Sequence, residues 1–134
     1  MFFFEGKIIS LVEFIYDNNL GGDILRLSTE VLDDNLIITL EGELDHHSSE
    51  EIRKKIDSEY YNNNLKNIVL DLGNLNFMDS SGIGLIMGRY KNCKEQYGKL
   101  SIVNINSKVE RILEMSGLME IVHIYTTVEK AIKA

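Results

Sequence analysis

The chain has 134 residues, 44% hydrophobic and 26% charged, and a formal net charge of −7. That is the length of one domain with enough apolar material for its own core. The acidic balance and the lack of a basic stripe argue against nucleic acid or an anionic membrane and favour a basic protein partner.

Cys93 is the only cysteine, so an intrachain disulfide is excluded and a small core residue is expected. No run of 18 or more apolar residues occurs, so no membrane span is expected. Both features fit a cytoplasmic protein.

The chain starts "MFFFEGKIISLVEFIYDNNL", which is apolar but has neither a basic leader nor a small-residue cleavage site. Next comes "LGGDIL", residues 20–25. Leu-Gly-Gly-Asp can be encoded TTA GGA GGT GAT, a string that contains a bacterial ribosome-binding sequence. TTG, a codon for Leu25, is also a bacterial start codon. Residues 1–24 are therefore expected to be a non-native upstream extension, with the domain spanning 25–134. The alternative is a natural N-terminal helix broken at Gly21-Gly22. The extension carries Glu5, Glu13, Asp17 and Asp23 against Lys7, so removing it leaves the domain acidic.

"LSTEVLDDNLIITLEGEL" predicts two strands around a turn at Asp33-Asp34-Asn35. "SSEEIRKKIDSEYY" predicts a helix with Ser48 as N-cap and Glu51 closing a capping box. Its apolar stripe is Ile52, Ile56 and Tyr60, with Glu50–Lys54 and Glu51–Lys55 pairs and an end at Asn62-Asn63-Asn64. "NIVLDL", residues 67–72, is nearly continuous apolar, the pattern of a buried central strand. A helix follows over about 81–97, then a strand at 100–105. "SKVERILEMSGL" predicts a helix with a Ser107–Glu110 capping box and Gly117 at C′, folding Leu118 back on Leu113. A strand at 120–125 and a short helix capped by Thr126 with Glu129 complete the chain. Strands alternating with helices imply crossovers and a largely parallel sheet.

Function in open α/β sheets gathers beyond the carboxyl ends of the strands. "GELDHHSS", 42–49, and "GNLNFMDSS", 73–81, leave two such ends, and neighbouring strands would bring Asp45 toward Ser80. In the helix after Ser80, Ile83, Ile86, Met87 and Tyr90 should face the sheet. Gly84, Gly88 and Lys91 then lie outward, with Gly82 in the first turn. Glycine costs about 1 kcal/mol against alanine in a helix, so outward glycines suggest a bare-backbone docking surface. Asp79 or Ser80 can cap this helix. A serine there is also a modification site, since phosphate adds roughly −1.5 to −2 charges at an end whose N–H groups accept anions. Such a group, beside Asp79, would repel a partner packed on the glycines.

"GELDHH" followed by "FMDSSGIGLIMGRYK" and "MSGL" closely resembles the STAS-domain anti-sigma factor antagonists, in their sporulation branch. The likeness runs from about Arg26 to the C-terminus, and no motif position departs from it. Asp-Ser-Ser-Gly alone would indicate only the wider STAS family.

The resemblance implies an α/β fold: a single STAS domain with a four-to-five-stranded, mostly parallel sheet and about four helices, mainly on one face. It implies binding to an anti-sigma factor that is also a serine kinase and carries the ATP. Capture of that kinase frees the sporulation sigma factor. Phosphorylation of Ser80 blocks binding, and a PP2C-type phosphatase reverses it. Asp45, Ile83 and Gly84 match positions that support recognition or phosphorylation. The partner-binding set is Asp45, Asp79, Ser80, Ser81, Gly82, Ile83, Gly84 and Gly88. The chain itself is expected to need no cofactor, to be no enzyme and to be a monomer when free.

A hydrolase needs a base beside its nucleophile, and G-x-S-x-G is absent around Ser80. A metal at Asp45-His46-His47 is disfavoured because adjacent extended residues point apart. His123 is expected to be a satisfied structural histidine, and no P-loop motif occurs. The competing non-enzymatic reading is a STAS regulator or scaffold in a general stress circuit or a transport complex.

Overall fold

In a computed structural model the described residues are 8–17 and 24–134. Residues 1–7 and 18–23, with the Gly21-Gly22 break, lie outside the described residues. The elements are β1 (Ile8–Asp17), β2 (Ile24–Leu32), β3 (Asn35–Leu44), α1 (Ser49–Asn62), β4 (Asn67–Met78), α2 (Ser80–Glu95), β5 (Leu100–Val103), α3 (Ser107–Ser116), a 3₁₀ turn (Leu118–Glu120), β6 (His123–Tyr125) and α4 (Val128–Lys133). The strands lie in sequence order, β1-β2-β3-β4-β5-β6. β1–β2 and β2–β3 pair antiparallel, and β3–β4, β4–β5 and β5–β6 pair parallel.

The alternation of β3 sets the layers. Leu36, Ile38 and Leu40 are fully buried under the helices, joined by Ile52, Ile56 and Tyr60 of α1, Ile86 and Cys93 of α2, and Val109 and Leu113 of α3. Each such aliphatic side chain contributes about 1.5–3 kcal/mol on burial. Burial raises the Cys93 thiol to about 11, so it sits in the core as a neutral group. The other sheet face has a smaller cluster, Leu32, Ile37, Val69 and Val103, closed by Ala131 of α4.

The architecture is the expected one, with differences of detail. The sheet has six strands because residues 8–17, expected only as an extension, pair with β2 from Ile8↔Leu32 to Asp17↔Ile24. β4 runs on past Leu72 to Met78. Register shifts between Thr39 and Glu41 and between Gly42 and Glu43 of β3 absorb the extra residues of β4 between Asp71 and Phe77, so the strand continues where a loop is expected. The 120–125 segment splits into the 3₁₀ turn and a three-residue β6.

The α3 cap shifts by one residue. Asn106 accepts from Val109 N–H at 2.9 Å and Ser107 is the first helical residue, since both types compete for the cap. Thr127, in place of Thr126, caps α4 through Lys130 N–H at 3.1 Å. Gly117 takes the predicted left-handed conformation, φ +81°, which a side chain would oppose. Leu113 and Leu118 are both buried beside it.

Candidate docking and modification site

β3 and β4 end in register, Leu44 beside Met78, so each delivers an aspartate to the same rim. The rim is stitched across. Asp79 N–H donates to Leu44 O at 3.3 Å, and His46 N–H donates to Asp79 Oδ2 at 3.1 Å. The expected approach of the Asp45 and Ser80 segments is therefore made through His46 and Asp79.

Asp79 is the N-cap of α2. Its Oδ1 accepts from Ser81 N–H at 2.8 Å and Gly82 N–H at 3.3 Å. Partial burial pushes its carboxyl up, but the N–H groups of Gly82, Ser81 and His46 outweigh that and hold it below the usual carboxylate range. Ser80 is the first residue of the helix and is exposed. Its hydroxyl has no hydrogen-bond partner among the described residues. The expectation that this helix end could accept an anion needs correction, because Asp79 already occupies the Ser81 and Gly82 donors.

Asp45 behaves otherwise. It is 8% exposed and turns its carboxylate onto its own loop, where Oδ1 accepts from His47 N–H at 2.9 Å and Ser48 N–H at 3.3 Å. The predicted Ser48–Glu51 box does not form, since Ser48 makes no side-chain cap bond. Its hydroxyl faces inward to Asp45 and to Glu43 O at 3.4 Å. The His46 and His47 rings lie 3.9 Å apart at the surface, each near a different aspartate. His123, expected to be a satisfied structural histidine in a strand, lies on β6, exposed, with its ring stacked on Tyr125.

Along α2 the glycines divide. A Cβ on Gly84 or Gly88 would meet open space, as expected for an outward track. Gly82 is buried, and a Cβ there would lie 2.4 Å from Met78 Cγ and 3.0 Å from Leu44 O. It permits close packing and offers no contact surface. Ile83 is half-buried against the core. Lys91 is exposed, Ile86 is buried, and Met87 and Tyr90 are partly buried, all near their predicted faces.

The sequence reading missed the outer wall of this track. Gly84 and Gly88 border a groove of about 440 Å³ between α1 and α2, also lined by His46, Ser49, Glu50, Arg53, Ser81, Leu85 and Arg89, with Glu50 paired to Arg53 and Lys54. Leu85 and Arg89 are buried. The available signal was that Arg89 falls in the Gly82, Leu85, Ile86, Cys93 helical stripe, where a charge needs a partner.

Residues 26–131 match the STAS domain family. The chain is 47% identical over 90 residues to an anti-sigma F factor antagonist of Paenibacillus polymyxa, covering 67% of this chain and 77% of the relative. It is similar to the solved anti-sigma factor antagonist SpoIIAA in its unphosphorylated form, with 30% identity and a TM-score of 0.65, over 80% of this chain and 94% of that one. The Bacillus cell fate determinant SpoIIAA in the phosphorylated form aligns at 33% identity and a TM-score of 0.64, over 80% and 96%.

Proposed function

The chain belongs to the STAS domain family, among its anti-sigma factor antagonists, and we propose that it captures an anti-sigma factor on the α2 rim and is released by phosphorylation of Ser80. The observation that carries this reading is the Ser80 hydroxyl, exposed and unbonded at the head of a helix whose neighbouring N–H groups are held by Asp79. A phosphate there gains little from the helix end. It adds roughly two negative charges beside an aspartate held ionised. A partner lying on Gly84 and Gly88 must then desolvate that doubly anionic neighbourhood, while the core beneath is untouched. The switch acts on the interface and leaves the fold alone.

In this reading the partner is an anti-sigma factor that is itself a serine kinase and supplies the ATP. A PP2C-type phosphatase restores the hydroxyl, and the sigma factor set free serves sporulation. The relatives support the antagonist role and a phosphorylated state: one is named an anti-sigma F factor antagonist, and another is a Bacillus cell fate determinant solved in its phosphorylated form. Asp45 and Asp79 fix the rim, and Ser81, Ile83, Gly84 and Gly88 complete the contact surface. Residues 25–134 carry the activity as a monomer when free, so a chain starting at Leu25 binds as the full chain does.

The test is incubation with that kinase and ATP, phosphosite mapping, and calorimetry on both forms. Phosphate on Ser80 and loss of affinity are expected. Phosphate on Ser81 instead, or equal affinity of the two forms, would sink the reading.

A further inference from the structure

The groove between α1 and α2 holds a cation that its own neighbours do not fully satisfy. The Arg89 side chain is 7% exposed, and its Nε stands 3.0 Å from Asp57 Oδ1. That approach lacks hydrogen-bond alignment, and Nη1 has no acceptor among the described residues. Asp57 is shared: Arg53 Nη1 lies 3.8 Å from its Oδ2 and Asn92 Nδ2 donates to its Oδ1 at 3.4 Å. Arg53 is drawn mainly to Glu50, at 2.7 Å, where Lys54 also reaches at 3.9 Å. Burial disfavours the charge on Arg89 more than Asp57 favours it, yet a guanidinium stays protonated in proteins. The groove therefore keeps a buried, forked donor short of acceptors, a costly arrangement for the free protein.

We propose that this groove receives an acidic side chain of the bound partner, whose carboxylate completes the hydrogen bonding of the Arg89 guanidinium. The inference rests on the docking reading above and names the chemistry the partner must bring. The glycines make room for it. With no side chain at Gly84 or Gly88, a segment laid on α2 can lower a glutamate or aspartate past them. Leu85, 4% exposed, provides an apolar wall that excludes water and strengthens the pair. Nε and Nη1 lie beneath the groove surface in the free protein, so the guanidinium turns outward on docking to offer its planar fork to the carboxylate in two parallel bonds.

The experiment uses the full chain and the purified anti-sigma factor kinase of the same organism. Arg89→Lys keeps the charge and removes the fork. It should weaken binding roughly tenfold or more. In double-mutant cycles against each partner Asp→Asn and Glu→Gln, one acidic position should show strong coupling to Arg89→Lys and the others none. Purely additive cycles at every acidic position, with wild-type binding intact, overturn the proposal alone. Absence of wild-type binding overturns the docking reading and the proposal with it. If Arg89→Lys fails to fold, the guanidinium resonances of wild-type Arg89 decide. Slowed rotation and protected Nη protons in the complex support the pair, and unchanged signals overturn it.

Discussion

β3 leaves the sheet through Leu44-Asp45 and reaches Ser48-Ser49; β4 leaves beside it through Met78-Asp79 and reaches Ser80-Ser81. The two junctions use the same residue types at the same level of the sheet. In the first the loop is longer, and Asp45 and Ser48 bond to each other within it. Ser48 is 2% exposed, and Ser49 Oγ donates to Asp45 O at 2.6 Å. In the second the helix starts at once, Asp79 takes the backbone donors, and the Ser80 hydroxyl is left outside. With two intervening histidines the first junction buries its serine in loop hydrogen bonds, and without them the second leaves its serine hydroxyl exposed.

A charge placed on each serine in turn should act in opposite ways at the two junctions. Ser48→Asp puts a second carboxylate beside buried Asp45 and should cost on the order of 3 kcal/mol or more in chemical denaturation. Ser80→Asp should leave denaturation midpoints unchanged and weaken partner binding by more than about 100-fold, because like charges facing across an interface cost several kcal/mol. A fall in stability for Ser80→Asp would make the two junctions equivalent.

The glycines of α2 should divide in the same way. Gly82→Ala must displace Met78 and should lower stability by about 1–3 kcal/mol. Gly84→Leu meets open space and should raise helix stability by up to about 1 kcal/mol, while calorimetry shows docking lost. Unaltered affinity would move the contact surface elsewhere.

The aspartates give a smaller effect. Asp79→Ala removes the cap of α2 and should cost about 1 kcal/mol. Its folded carboxyl titrates below the unfolded value, near 3.9. The stabilisation is thus complete above that pH and lost as pH falls through the folded pKa. Denaturation of wild type and Asp79→Asn from about pH 6 to about pH 2 should show a gap that closes at the acid end.

Much of this rim was legible in the sequence because its signals are local. Asp-Ser-Ser ahead of an apolar run marks a helix start, and the 3.6-residue period alone put Gly84 and Gly88 outward. What escaped depended on long-range partners. Ser107 and Asn106 are both good caps, and only packing chooses between them. The end of β4 looks like a turn at Gly73-Asn74 until β3 is laid beside it. The helical period places Arg89 in the buried stripe, but nothing near it in sequence announces its partner, Asp57 on another helix. For residues 8–17 the coding pattern says nothing about conformation, whereas the paired backbone is a strand along β2.

The bond from His46 N–H to Asp79 spans 33 residues and exists only once β3 and β4 lie side by side. In a copy whose strands have not yet paired, Ser80 is present but the stitched rim around it is not. The rim is therefore a reporter of the assembled sheet, complete only in a copy whose β3 and β4 have paired.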